Sequence, residues 1–269
     1  MNTRNSQPTE IESTSRRRFL FSAIEAAAAL TLITTPACQA IAEALGKGKA
    51  LSIEEQKARI HGLNIDKKPD EEIQWNVKKM TGNLTEDLNE GEARQKLFEF
   101  IQSFPYELRS FKARGGIELY DEEKGDCRHK SNALYALLKQ RGFEVRKLDV
   151  LFDWKDLPIP KEILALKKRS GTRAFHDGIE VKIDGKWVYV DPTWDPALAH
   201  VGFPVTTNWD GASPTKEISN GKTEKIPAGK YEKFEDYLAA YKMPWPVRSE
   251  TDAFNKALNE WLNKQRSAK

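Results

Sequence analysis

Three residues of this chain are of the types that nucleophilic acyl chemistry uses: Cys127, His176 and Asp191. A thiolate attacks a carbonyl carbon, and an imidazole exchanges protons with the thiol and the leaving group. A carboxylate on the other ring nitrogen fixes the tautomer. Cys127 follows Gly125-Asp126, and Asp126 is placed to cap a helix with apolar face Ala133, Leu134, Leu137 and Leu138 and stop signal Gly142. The thiol therefore sits in a first turn, where unpaired backbone N–H groups and the helix dipole favour its ionised form. Its own N–H is a natural oxyanion donor. Cys127, Ser131, Leu134 and Leu138 fall on one stripe, so the thiol is expected to point towards a sheet rather than water.

The elements that must position the other two residues can be worked out in register. Residues 144–152 alternate, with Leu148, Val150 and Phe152 on one side, as a half-buried strand does. Residues 175–191 hold two alternating runs joined by Asp184-Gly185, a dipeptide suited to a type I′ turn. With a two-residue turn, Ile183 faces Lys186. Ile179, Val181, Ile183, Val188 and Val190 then share an apolar face, and His176, Gly178, Glu180, Trp187, Tyr189 and Asp191 share the other. Asp191 falls opposite Gly178, with His176 as its diagonal neighbour across a position that has no side chain. On the hairpin alone, a surface His beside a surface Asp is the simpler explanation. A helix-start cysteine, a strand and then a His/Asp hairpin together are harder to explain structurally.

These segments resemble a known family. Gly125-Asp126-Cys127-Arg128-His129-Lys130-Ser131-Asn132-Ala133-Leu134, followed by Gly142-Phe143-Glu144-Val145, is similar to the cysteine region of the transglutaminase-like superfamily. His176-Asp177-Gly178-Ile179-Glu180-Val181 and Gly185-Lys186-Trp187-Val188-Tyr189-Val190-Asp191-Pro192-Thr193 resemble its His and Asp regions. The resemblance spans roughly residues 85–200. It implies a papain-like α+β core in which Cys127 is the nucleophile, His176 the acid/base and Asp191 the orienting group. One departure stands out: where family members often have Ala-Trp after the histidine, this chain has Asp177-Gly178. The missing Trp is expected to leave room near the site. Asp177 points to the face opposite His176 and is not counted in the triad.

Other candidates are weaker. His129 lies about 200° round the helix from Cys127 and cannot share a metal with it. His61 and His200 sit in unpatterned surroundings, so neither metal nor cofactor is expected. Trp187 and Tyr189 could line a cleft or simply cover a sheet face, whereas Trp194 and Trp209 read as packing.

The rest of the chain frames this region. The N-terminus reads Ser15-Arg16-Arg17-Arg18-Phe19-Leu20 before an alanine-rich apolar run to Ala37. A basic start, a short apolar middle and small residues after it are the parts of an export leader, and Arg16-Arg17 resembles the bacterial twin-arginine signal read by its export machinery. Ala40-Ile41-Ala42 offers a cleavage pattern, giving a removed segment 1–42 and a periplasmic protein; lipidation at Cys38 is the minority alternative. Should Cys38 leave or be lipidated, Cys127 has no partner in its own chain, which suggests a reactive thiol.

Helices are expected over 52–63, from Pro69 to a stop at Gly82, over Thr85–Gln102, and near Tyr231–Tyr241 and Thr251–Gln265, with a loop-rich stretch between Pro192 and Lys230. The expected organisation is α+β: a helical region 43–110 packed on the core, a transglutaminase-like core 111–200, and a loop-rich and helical segment 201–269. Lys+Arg 43 against Asp+Glu 40 predicts no nucleic-acid partner, and nothing beyond residue 40 is apolar enough to span a bilayer.

The expected function is exported, cysteine-dependent acyl transfer on amide or peptide bonds through a thioester, acting on proteins or on cell-envelope peptides. Hydrolysis is favoured over cross-linking because water needs no acceptor site. The rivals are a non-catalytic binding or scaffolding domain of the cell envelope, and a redox thiol that lacks a resolving cysteine.

Overall fold

A computed structural model of the chain describes residues 77–109, 119–120 and 122–268. The expected export segment, the helix at 52–63 and the start of the helix from Pro69 lie outside the described residues. The described elements in chain order are α1 (Val77–Thr85), α2 (Glu90–Gln102), α3 (Cys127–Gln140), β1 (Val145–Asp153), the one-turn helix α4 (Lys161–Leu164), β2 (Arg173–Ile183), β3 (Lys186–Val190), β4 (Glu224–Pro227), α5 (Phe234–Ala240) and α6 (Arg248–Ser267). Among the described residues, no helix is long and apolar enough to cross a membrane.

The four strands form one antiparallel sheet in the order β3-β2-β1-β4. The β2–β3 register is the expected one, with Ile183 opposite Lys186 and Ile179 opposite Val190. It is set by the turn, where Asp184 and Gly185 take φ of +48° and +76°.

Both sheet faces are covered. Ile179, Val181, Ile183 and Val190 join Leu134, Leu137 and Leu138 of α3 and Leu97, Phe98 and Ile101 of α2 in one core. Leu148, Val150, Phe152 and Tyr189 face a second core, closed by Trp194, Phe203 and Phe254, Leu258 and Leu262 of α6. Each fully buried aliphatic side chain contributes roughly 1.5–3 kcal/mol relative to exposure. Trp194 and Trp209 are buried as expected, and their indole N–H groups donate to the Ile218 and Ser213 carbonyls.

Several element boundaries differ from expectation. Gly82 does not end α1, which runs on to Thr85, where Thr85 Oγ1 donates back to the Thr81 carbonyl at 2.7 Å. The next helix starts not at Thr85 but at Glu90, because Asn89 forms a capping box with Glu92. β4 lies inside the stretch expected to be loop. Four residues are too few to show a period, and Ile226 is its one buried side chain.

The start of α6 is fastened to the loop before β2. Glu250 accepts hydrogen bonds from the backbone N–H groups of Arg169 and Ser170, from Ser170 Oγ and from Arg169 Nε. The Ser170 N–H above all lowers its carboxyl pKa to about 2. Because the folded value is depressed, this contribution is present above the ordinary Glu range and is lost as pH falls towards 2. Glu250→Gln should therefore lower the melting temperature at neutral pH, with the gap to wild type closing as melts are run towards pH 2. An equal gap at both ends would show that the charge is not what matters.

Candidate active site

The site begins with the helix that carries the thiol. Asp126 caps α3, its Oδ1 accepting from the Arg128 and His129 N–H groups and not from that of Cys127 itself. His129 is buried, with Nδ1 2.6 Å from Asp126 Oδ1, so it serves the cap. A Cβ at Gly125 would lie 2.7 Å from His129 Cβ, so only glycine lets the chain enter so tightly. One turn on, Ser131 Oγ donates to the Asp177 carbonyl at 2.7 Å and ties α3 to β2 directly after His176. The expected stripe through Cys127 and Ser131 does face the sheet.

Cys127 is a half-buried free thiol. It lies within electrostatic reach of His176, whose Nε2 lies 3.0 Å from Asp191 Oδ2. Asp177 pairs with Arg128 at 3.5 Å, and its charge adds to the upward push on the Cys127 thiol. The structure thus brings Cys127, His176 and Asp191 together, two from adjacent strands and one from a helix N-terminus.

Their environment sets their protonation. Burial outweighs the opposing pull of the His176 charge and leaves the Cys127 thiol pKa above its ordinary value, not lowered as its helix-start position suggests. Burial alone would keep His176 neutral, but the Asp191 and Cys127 charges outweigh it and raise its pKa well above that of an ordinary histidine. Asp191 is held below the usual carboxylate range despite burial, chiefly by the His176 charge, then by hydrogen bonds. Its Oδ1 accepts from the Thr193 N–H at 3.0 Å and its Oδ2 from the Tyr189 hydroxyl at 2.9 Å.

Three further residues belong to the site; Tyr189 shares the expected His176 and Asp191 face, whereas Lys130 and Tyr106 carry no sequence signal of their place there. Lys130, in α3, has no exposed surface, and its Nζ donates to the carbonyls of Gln102 (3.1 Å), Phe104 (2.8 Å) and Thr193 (2.8 Å). It therefore joins the end of α2, the thiol helix and the loop after Asp191. Tyr106 forms a parallel bridge with Gly125, its N–H donates to Asp195 Oδ2 at 2.9 Å, and its ring lies 4.5 Å from that of Trp194. Burial, followed by the Cys127, Asp126 and Asp191 charges, raises the pKa of its phenol well above the usual value. It stays a neutral donor within electrostatic reach of the thiol. Tyr189 fills the space expected to be open beside the histidine, since a Cβ at Gly178 would come within 3.1 Å of its Cε2. No local pattern marks Lys130 or Tyr106, because what distinguishes them is contacts with distant segments. His200 is exposed on a surface turn, and His61 lies outside the described residues.

Comparison with known families agrees with this architecture. The model of the transglutaminase-like superfamily matches residues 76–192, from just before α1 to just past Asp191. Searching the curated proteins finds no match. A solved structure of a candidate cysteine protease from Cytophaga hutchinsonii aligns with a TM-score of 0.34 and 13% identity, over 56% of this chain and 47% of that one. This chain spans just under half the length of that protein. The chain has an α+β fold, and its segment 76–192 is similar to the transglutaminase-like superfamily.

Proposed function

We propose that this protein is an exported cysteine-dependent acyl-transfer enzyme that acts on amide or peptide bonds, with Cys127 as nucleophile, His176 as acid/base and Asp191 as the group that orients the imidazole. The convergence of a half-buried helix-start thiol with a buried His–Asp pair at 3.0 Å carries this reading. The Cys127 sulfur attacks the carbonyl carbon and forms a C–S bond, and the carbonyl electrons move to oxygen. The Cys127 N–H, left free by the Asp126 cap, is the donor for that oxyanion. The His176 imidazolium then gives its proton to the leaving amine nitrogen as the C–N bond breaks, and a thioester remains. In the second half His176 takes a proton from the acceptor, the acceptor oxygen or nitrogen bonds to the carbonyl carbon, and the sulfur leaves.

Water as acceptor gives hydrolysis, and a primary amine gives transamidation. We favour hydrolysis, because water needs no binding site of its own. The test incubates the full chain with extracted cell-envelope peptides, quenches in acid and examines Cys127 by peptide-resolved mass spectrometry. An acyl adduct on Cys127, absent from Cys127→Ala, is the expected outcome. A fluorescent primary amine added in parallel should remain unincorporated if water is the acceptor. Failure to find any adduct or turnover would favour the binding or scaffolding role.

A further inference from the structure

The carboxylate of Asp191 is held by more than the histidine. Its Oδ1 takes the Thr193 N–H, and its Oδ2 lies 2.9 Å from the Tyr189 hydroxyl and 3.0 Å from His176 Nε2. These last two contacts differ in kind. The phenol makes a well-formed hydrogen bond, whereas Nε2 lies at hydrogen-bond distance without the alignment of one. The better-made bond on Oδ2 therefore belongs to the tyrosine.

Tyr189 reaches Asp191 because of what its neighbour lacks. Its ring lies over Gly178, where an added Cβ would approach Cε2 to 3.1 Å, tighter than side chains normally tolerate. The bare Gly178 and the tyrosine ring that lies over it thus form one arrangement. The ring is fixed from outside as well. The Thr215 N–H donates to the Tyr189 carbonyl, the Asp191 N–H donates to Thr215 Oγ1, and Lys225 Nζ sits 4.4 Å above the ring while paired with Glu217 at 2.7 Å.

We propose that Tyr189 is a positioning residue that holds Asp191 Oδ2 and shares its charge with His176, an arrangement that the bare Gly178 makes possible. This rests on the reading of Cys127, His176 and Asp191 given above. With the phenol in place, the carboxylate stays ionised and oriented without gripping the imidazole fully. Without it, Nε2–H becomes the side-chain donor on Oδ2, and the imidazolium is held more tightly. The charges facing His176 are Asp191 after β3, Cys127 at the start of α3 and Asp149 of β1; those facing Tyr189 also include Glu217 and Lys225.

The test needs no substrate. The second-order rate of Cys127 alkylation by iodoacetamide, followed by peptide-resolved mass spectrometry across pH, shows a thiolate plateau that changes where His176 loses its proton. Tyr189→Phe keeps the ring and should move that upper inflection to higher pH by about 0.5–1 unit. Gly178→Ala, which makes the ring give by a few tenths of an ångström and loosens its bond to Asp191, should shift it the same way. The double variant should match a single one rather than add, because both remove the same bond. An inflection that is unmoved or lowered in Tyr189→Phe, or additive shifts in the double variant, would overturn the proposal. If wild-type Cys127 shows no thiolate plateau at all, the Cys127–His176 pair itself fails, and this inference falls with it.

Discussion

Cys127→Ala is expected to lower turnover on any amide or peptide substrate by at least about 10⁴-fold, with no comparable change in stability. On the proposed mechanism the alanine removes the atom that carries the acyl group, and no other described residue is placed to stand in. Cys127 is the free cysteine of the site, and Ser131, one turn on, has its hydroxyl committed to the Asp177 carbonyl. His176→Ala should cost nearly as much, because a thiol pushed up by burial has lost the charge that pulls it down. Since nucleophile and base act as a unit, the double variant should be no slower than the worse single one. These effects are measurable as kcat/KM on the substrates that the adduct experiment identifies. Cys127→Ala retaining more than about a hundredth of wild-type turnover would sink the nucleophile assignment.

The sign of the pH dependence follows from the same pair. The His176 pKa is raised, so its ion-pair stabilisation is complete below the ordinary histidine value and fades as pH rises through the elevated one. The Asp191 pKa is lowered, so its contribution is present above the ordinary carboxylate value and is lost in acid. The imidazole–carboxylate pair therefore holds its charges through neutral pH, while burial keeps the thiol pKa above its ordinary value.

Lys130→Met is expected to lower stability by about 3–5 kcal/mol. Methionine nearly matches the volume, so the effect isolates the hydrogen bonds. Three carbonyls, at Gln102, Phe104 and Thr193, would lose a charge-assisted donor at a fully buried position. Leaving such buried acceptors unpaired costs about 1–3 kcal/mol each. Because Thr193 also holds Asp191 through its N–H, residual folded protein should react more slowly at Cys127. Urea unfolding followed by tryptophan fluorescence measures the first effect. A midpoint within experimental error of wild type would show that those carbonyls find other partners.

Much of the site is legible in the amino-acid sequence. The Asp184-Gly185 turn, through its two positive φ angles, sets the register of β2 and β3, and the register decides which residues share a face. Helix α3 is equally readable, since a cap, a stripe of leucines and a nearby Gly142 are all local signals. The boundaries at Gly82 and Thr85 depart from the local signals because both residues tolerate helix when Met80 and Leu84 anchor it to a core.

The sequence by itself determined the residue types and their local settings: a cysteine in a first helical turn and a histidine diagonal to an aspartate on one hairpin. Those patterns depend on neighbours within a few positions, which periodicity and turn chemistry encode. Only the tertiary structure decided that the three groups meet, because α3 reaches β2 through packing and the Ser131–Asp177 bond. It likewise decided that buried Lys130 ties three segments together and that the Tyr189 ring occupies the space over Gly178. Contacts between residues far apart in the chain follow from how whole elements pack, and no local pattern records them.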